Sequence, residues 1–217
     1  MKYFKYITIA LLTIMLSVAC AEDKKTTEEY TEVSYYQMDS KGELIRPTGY
    51  REWVYVGTPV TPNELNNGAA AFPEFHNVYI DPVSYKHYKK TGKYREGTVI
   101  VKELVSVGDK AATSGIGYFQ GDFLAVEVTI KSKELYPDEP GNWAYYGFHP
   151  DESGNLEATQ KPFGTQHCNL CHQTSAAEDW VFSQYYPVLR DAKGVGENVN
   201  PEGSDKRQHT EVTMGGN

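Results

Sequence analysis

The clearest hydrophobic patterning lies in the middle of the chain. Thr98–Val107 is a long β-branched run, Tyr118–Ile130 is a second, and Phe75–Ile80 and Trp143–Phe148 are shorter apolar stretches of the same kind. Each is expected as a strand, because β-branched and aromatic side chains suit a pleated, half-buried surface. Tyr50–Val56 fits either a helix or a strand. Asp81-Pro82 places a capping residue before a proline suited to the first helical position, so a short helix over Val83–Lys90 should follow, stopped by Gly92. Ala176–Arg190, with apolar Trp180, Val181, Tyr185, Val188 and Leu189, predicts another helix, while Thr61-Pro62-Asn63 and Asn66-Asn67-Gly68 read as turns.

The ends of the chain follow a different logic. Lys2 and Lys5 precede an apolar run, Ile7–Ala19, interrupted by Thr8, Thr13 and Ser17. This is the layout of a secretory signal, expected over residues 1–20, and it is too short to span a bilayer comfortably. Ala19-Cys20-Ala21 suits an ordinary cleavage site. Leu16-Ser17-Val18-Ala19-Cys20 also resembles a lipobox, which would make Cys20 a lipid anchor, although Ser17 is a poor match within it. Residues 21–40 are polar and read as a linker, 41–193 as one folded domain, and 194–217 as a Gly-, Asn- and charge-rich disordered tail. The expected location is periplasmic, outside the cytoplasmic membrane.

Composition narrows the possibilities. A length of 217 residues, less its ends, suits one domain with a full core, and 17 tyrosines among many Val and Thr favour sheet. A formal charge of −8 argues against a nucleic-acid partner, which would require a basic face.

The candidate chemistry is concentrated near Cys168. Outside the leader only Cys168 and Cys171 remain, and a disulfide between them would close too short a loop to gain much entropic stabilisation. Cys168-Asn169-Leu170-Cys171-His172 is instead the attachment pattern of a c-type haem. Both thiols add to the vinyl groups of one porphyrin, and His172 ligates the iron. A thioredoxin-like reading lacks its βαβ context. A zinc site would need His167 and His172 to join both cysteines, crowding a tetrahedral centre. One haem per chain is expected.

A second axial ligand is hard to find. Met38 and Met214 lie in the expected linker and tail, His209 also lies in the tail, and His87 sits on a helix beside lysines. His76, His149 and His167 remain as candidates; otherwise the sixth position is vacant, which points to ligand binding or catalysis at iron. Two charged residues within the strands then become relevant. Lys102 shares a face with Ile100 and Leu104, and Glu127 shares one with Phe123 and Ala125. An edge lysine reaching water, or a Lys102–Glu127 ion pair, would explain them structurally. If both approach the iron, Glu127 becomes a candidate proton acceptor.

Tyr50-Arg51-Glu52-Trp53-Val54, Val78-Tyr79-Ile80-Asp81-Pro82, Gly97–Leu104, Pro140-Gly141-Asn142-Trp143, the haem motif and Val181-Phe182 through Tyr186–Arg190 occur in order across roughly Lys41–Lys193. Together they closely resemble cytochrome P-460. The resemblance implies an α+β fold, predominantly antiparallel β-sheet with flanking helices, in a single domain that forms a homodimer. It also implies a five-coordinate haem that oxidises hydroxylamine to nitrous oxide or more oxidised nitrogen products, passing electrons to an external acceptor. Lys102 matches the family's lysine bonded to a haem meso carbon, and Glu127 matches its distal carboxylate. His76 has no assured role. The alternative is a nitric oxide- or carbon monoxide-binding protein like the beta-type cytochromes c-prime, whose distal cap is apolar; Phe119 or Phe123 could supply one. A plain electron carrier is disfavoured for want of a second ligand.

Overall fold

The computed structural model describes residues 33–192, so the expected leader (1–20), Cys20 and the expected tail (194–217) lie outside the described residues. In chain order the strands are β1 (Leu44–Ile45), β2 (Val54–Gly57), β3 (Phe75–Ile80), β4 (Val99–Val107), β5 (Ala111–Ala112), β6 (Gly115–Ile116), β7 (Gln120–Lys131), β8 (Trp143–Phe148) and β9 (Thr159–Gln160). The helices are α1 (Pro82–Thr91), α2 (Asn169–Ser175) and α3 (Pro187–Ala192). Five strands form one sheet in the order β2-β3-β4-β7-β8, with every neighbouring pair antiparallel. The α+β expectation, mostly antiparallel and in a single domain, is met.

Each face of this sheet carries its own core. On one, Val78, Ile80, Ile100, Trp143 and Tyr145 pack with Tyr88 of α1 and with Val181, Tyr186 and Leu189 from the C-terminal segment. On the other, Val99, Val101, Val126, Val128, Tyr146 and Phe148 pack under Leu44, Tyr50 and Tyr136. The stretch expected as linker joins this second layer before Lys41: Tyr35, Tyr36 and Met38 pack against it, and Tyr35 meets Trp53 edge-on at 5.4 Å. The aromatic content of 33–40 makes burial favourable where its polar residues suggested a tether.

The predicted start of α1 is realised in detail. Asp81 is fully buried, and its carboxylate accepts from Ser84 N (2.8 Å) and from Val99 N (2.9 Å), so one side chain caps the helix and ties it to β4. Arg95 Nη2 lies 3.5 Å from the same carboxylate, and Gly92, at φ 69°, ends the helix in the left-handed conformation. Asp81→Ala would leave two amide donors without their acceptor. A loss of roughly 2–4 kcal/mol is expected, read as a lower denaturation midpoint with an unchanged slope.

Two expectations are corrected. The helix over Ala176–Arg190 does not form: Glu178 bridges Val181, Asp179 and Trp180 take left-handed φ values of 41° and 60°, Ser183–Tyr185 makes one 3-10 turn, and α3 begins only at Pro187. Pro187 has no N–H to donate and holds Tyr186 extended (φ −113°, ψ 95°), so no helix runs through it. Phe123 does not share a face with Glu127. The pairing shifts from Leu104↔Ala125 to Val105↔Phe123, leaving Leu124 as an extra residue. This bulge turns Phe123 to the opposite face, where Arg51 stacks on its ring at 5.7 Å.

Candidate functional site

The site is built on the sheet face that α2 and the C-terminal segment cover. Across the sheet, Val78, Lys102, Glu127 and Gly147 stand in one row as direct register partners on β3, β4, β7 and β8. Lys102 Nζ lies 2.5 Å from Glu127 Oε2, and both side chains are about one-quarter exposed, so they form a partly shielded ion pair. The pairing follows from the antiparallel ladder, in which directly opposed residues point to the same side. Neither strand is an edge strand, so the explanation of Lys102 as an edge lysine is set aside.

Cys168 packs against the core cluster of this face, to which Ile100 belongs. It stands at the start of α2, which carries Cys171 and His172 through one turn and ends at Ser175. Both thiols are free, Cys171 exposed and Cys168 half-buried. Asn169 is buried and donates to the Trp143 carbonyl (3.0 Å), fixing α2 to β8.

His172 is held from three sides. Its ring lies between Tyr145 (4.5 Å) and Phe182 (4.6 Å), and its Nδ1–H donates to the Trp180 carbonyl at 2.7 Å. Burial pushes its pKa below the ordinary histidine value. The Trp180 bond opposes that shift, and the charges of Lys102 and Glu127 act on the ring in opposite directions. With Nδ1 carrying the proton, the neutral ring has its Nε2 lone pair available for a metal. Burial, followed by the Glu127 charge, likewise raises the Cys168 thiol. The charged pair on the sheet and the Cys168–His172 turn therefore belong to one electrostatic neighbourhood.

This donor set fits a c-type haem: two unpaired thiols one helical turn apart and a neutral imidazole whose other nitrogen is already bonded. Two aromatic residues flank the row. Lys102 Nζ sits over the Phe72 ring at 5.3 Å, and Phe163 lies so close to Gly147 that an added Cβ would come within 2.6 Å of its ring. Sequence reasoning proposed Phe119 or Phe123 as a distal cap; it missed Phe72, which lies in the loop before β3 and has no periodic signal to reveal it.

The three remaining histidines divide. His149 and His167 are exposed, the latter stacked beside Phe163 at 6.1 Å. His76 is on the Lys102 face, mostly buried, with its Nε2 3.3 Å from Glu74. Burial, followed by the Lys102 charge, lowers its pKa. His76 is thus harder to protonate in the fold than in the unfolded chain, which takes the proton below a pKa of about 6.5. The unfolded state binds more protons in that window, so stability falls as pH drops through it. His76→Gln should flatten this acid sensitivity by up to about 1.4 kcal/mol per pH unit, measured as the change in unfolding free energy between neutral and mildly acidic buffer.

A second buried carboxylate, Glu103, was not anticipated. It is 4% exposed on the opposite face and accepts from Tyr50 Oη (3.0 Å), Arg51 Nε (2.8 Å) and Asn77 Nδ2 (3.3 Å). Its partners lie on other elements, so the strand pattern alone could not show them, and they satisfy it away from the candidate site.

The family model for cytochrome P460 matches residues 47–183. That span runs from ahead of β2 to Ser183 and takes in Lys102, Glu127 and the whole Cys168–His172 motif. No curated protein matches the chain.

Proposed function

The chain belongs to the cytochrome P460 family, a group of oxidoreductase-type haem c proteins, and on that premise we propose that it oxidises hydroxylamine to nitrous oxide or other nitrogen oxides. Cys168 and Cys171 would hold one haem per chain, His172 would ligate its iron, and Lys102 would bond to the porphyrin edge. The observation that carries this reading is the row in which Lys102 and Glu127 face each other on the side of the sheet that also packs Cys168.

When bound, the haem supplies an electron sink and the open coordination position at which a small nitrogen compound is activated. The chain does the rest. His172, neutral and bonded through Nδ1, presents Nε2 in a fixed orientation. Glu127 is the proton acceptor: protons and electrons leave hydroxylamine in equal number, and the carboxylate takes the protons while an external acceptor takes the electrons. Lys102 and Glu127 depend on each other. As an ammonium, Lys102 holds the carboxylate oxygen; a bond from Nζ to a haem carbon would replace one N–H and one ring C–H bond, two electrons and the protons passing to the external acceptor and solvent, and would keep Nζ beside Glu127. Phe72, itself half exposed, places an aromatic ring beside the pair.

Export to the periplasm, a lipid at Cys20 and a homodimeric state complete the proposal. They rest on the leader pattern and on the resemblance. Binding of nitric oxide or carbon monoxide without turnover is the second reading, favoured by Phe72 and Phe163 on the site face. A steady-state assay with hydroxylamine and an artificial oxidant separates the two. Sustained oxidant reduction with nitrous oxide release is expected, whereas ligand-induced spectral change without turnover would support the gas-binding reading instead.

A further inference from the structure

Asp179 and Trp180 are consecutive residues in the left-handed region, at φ 41° and 60°, and neither is glycine. Such a pair persists only where its surroundings over-determine it. Lys131, the last residue of β7, provides one restraint: its Nζ is 3.1 Å from Asp179 Oδ1 and 3.0 Å from Oδ2, and it also donates to the Gly141 carbonyl at 2.8 Å. Trp143, its register partner at the start of β8, provides another, donating from Nε1 to Asp179 Oδ1 at 3.3 Å. Gly141, at φ 64°, lies against the Trp180 ring, where a Cβ would come within 2.5 Å of Cε3. The turn is closed by Val181 N donating to the Glu178 carbonyl at 2.7 Å.

These restraints fix the turn that carries one carbonyl. The Trp180 carbonyl oxygen takes the Nδ1–H of His172 at 2.7 Å and lies 3.4 Å from the Tyr145 hydroxyl. The Tyr145 hydroxyl is the donor in that contact. A free loop carbonyl would wander. This one is set by a carboxylate clamped between two adjacent strands.

We propose that Asp179, gripped by Lys131 and Trp143, is a positioning residue that aims the Trp180 carbonyl at His172 Nδ1 and thereby sets how strongly His172 donates to iron. The inference rests on the reading of His172 as the iron ligand. A strong acceptor on Nδ1 gives the imidazole partial anionic character and strengthens donation from Nε2; a loosened acceptor weakens it. Asp179 touches neither substrate nor haem in this role, and it acts through a backbone oxygen one residue away.

The test is resonance Raman spectroscopy of the reduced, haem-loaded protein, following the iron–imidazole stretching band, together with the midpoint potential from spectroelectrochemistry. Asp179→Ala is expected to move the band to lower frequency and the potential to a more positive value, with haem content unchanged. Asp179→Asn, which still offers Trp143 an acceptor oxygen, should fall between Ala and the parent. Lys131→Met loosens the clamp from the sheet side and should shift both readouts in the same direction; it decides the matter if Asp179→Ala does not fold. A band present in the parent but unmoved in the folded variants overturns the clamp alone. A parent protein with no iron–imidazole band overturns the ligation reading and the proposal with it.

Discussion

Haem-loaded Glu127→Gln protein is expected to turn over hydroxylamine roughly 10²- to 10⁴-fold more slowly than the parent chain, the usual worth of a positioned general base. Glutamine keeps the shape and can still accept from Lys102, so the fold and the haem should survive the change. What it lacks is the capacity to take up a proton. Glu127 is the partner that the ladder places directly opposite Lys102, so the substitution changes chemistry at the centre of the site row without moving the row itself. Binding of a small neutral ligand should be little altered, because no proton leaves on binding. The pair of measurements is a turnover assay and a ligand titration on the same sample. Equal turnover in Glu127→Gln and parent would remove Glu127 as the base.

Lys102→Leu should leave haem attached at Cys168 and Cys171 yet return its absorption spectrum to that of an ordinary c-type haem. Leucine fits the apolar neighbours Ile100 and Leu104 but offers no nitrogen to a porphyrin carbon. A protease digest of the parent should yield a haem-bearing peptide containing Lys102 as well as the Cys168–Cys171 peptide, whereas the variant should yield only the latter. Turnover should fall too, because Glu127 loses the partner that now holds it at 2.5 Å. An unchanged spectrum together with an unchanged digest would eliminate the cross-link.

How far the sequence revealed the molecule depends on how local each cause is. Phe75–Ile80 and Trp143–Phe148 form strands with the boundaries expected, because strand pattern and adjacent turn residues act within a few positions. Asp81 and Pro82 specified the start of α1 for the same reason. Lys102 and Glu127 stood out as charges in apolar strands, and the ladder places them together. The bulge at Leu124 was not legible, since nothing in Gly121–Ala125 marks which residue goes unpaired; the error turned Phe123 to the wrong face. The supposed helix at Ala176–Arg190 concealed the turn that holds His172. Its apolar spacing suited a helix, but Lys131 and Trp143 hold Asp179 from strands more than thirty residues away in sequence, and Trp180 acts through a carbonyl that every residue possesses. Glu103 escaped notice for a related reason: its charge is met by Arg51, fifty-two positions distant.

The central claim is that His172 alone ligates the iron of a haem attached through Cys168 and Cys171, with the other side open to substrate. Electron paramagnetic resonance of the purified ferric protein tests it most directly. A high-spin signal from a five-coordinate haem is the predicted result. A low-spin signal, showing protein groups on both sides of the iron, or a sample with no haem signal at all, would contradict it.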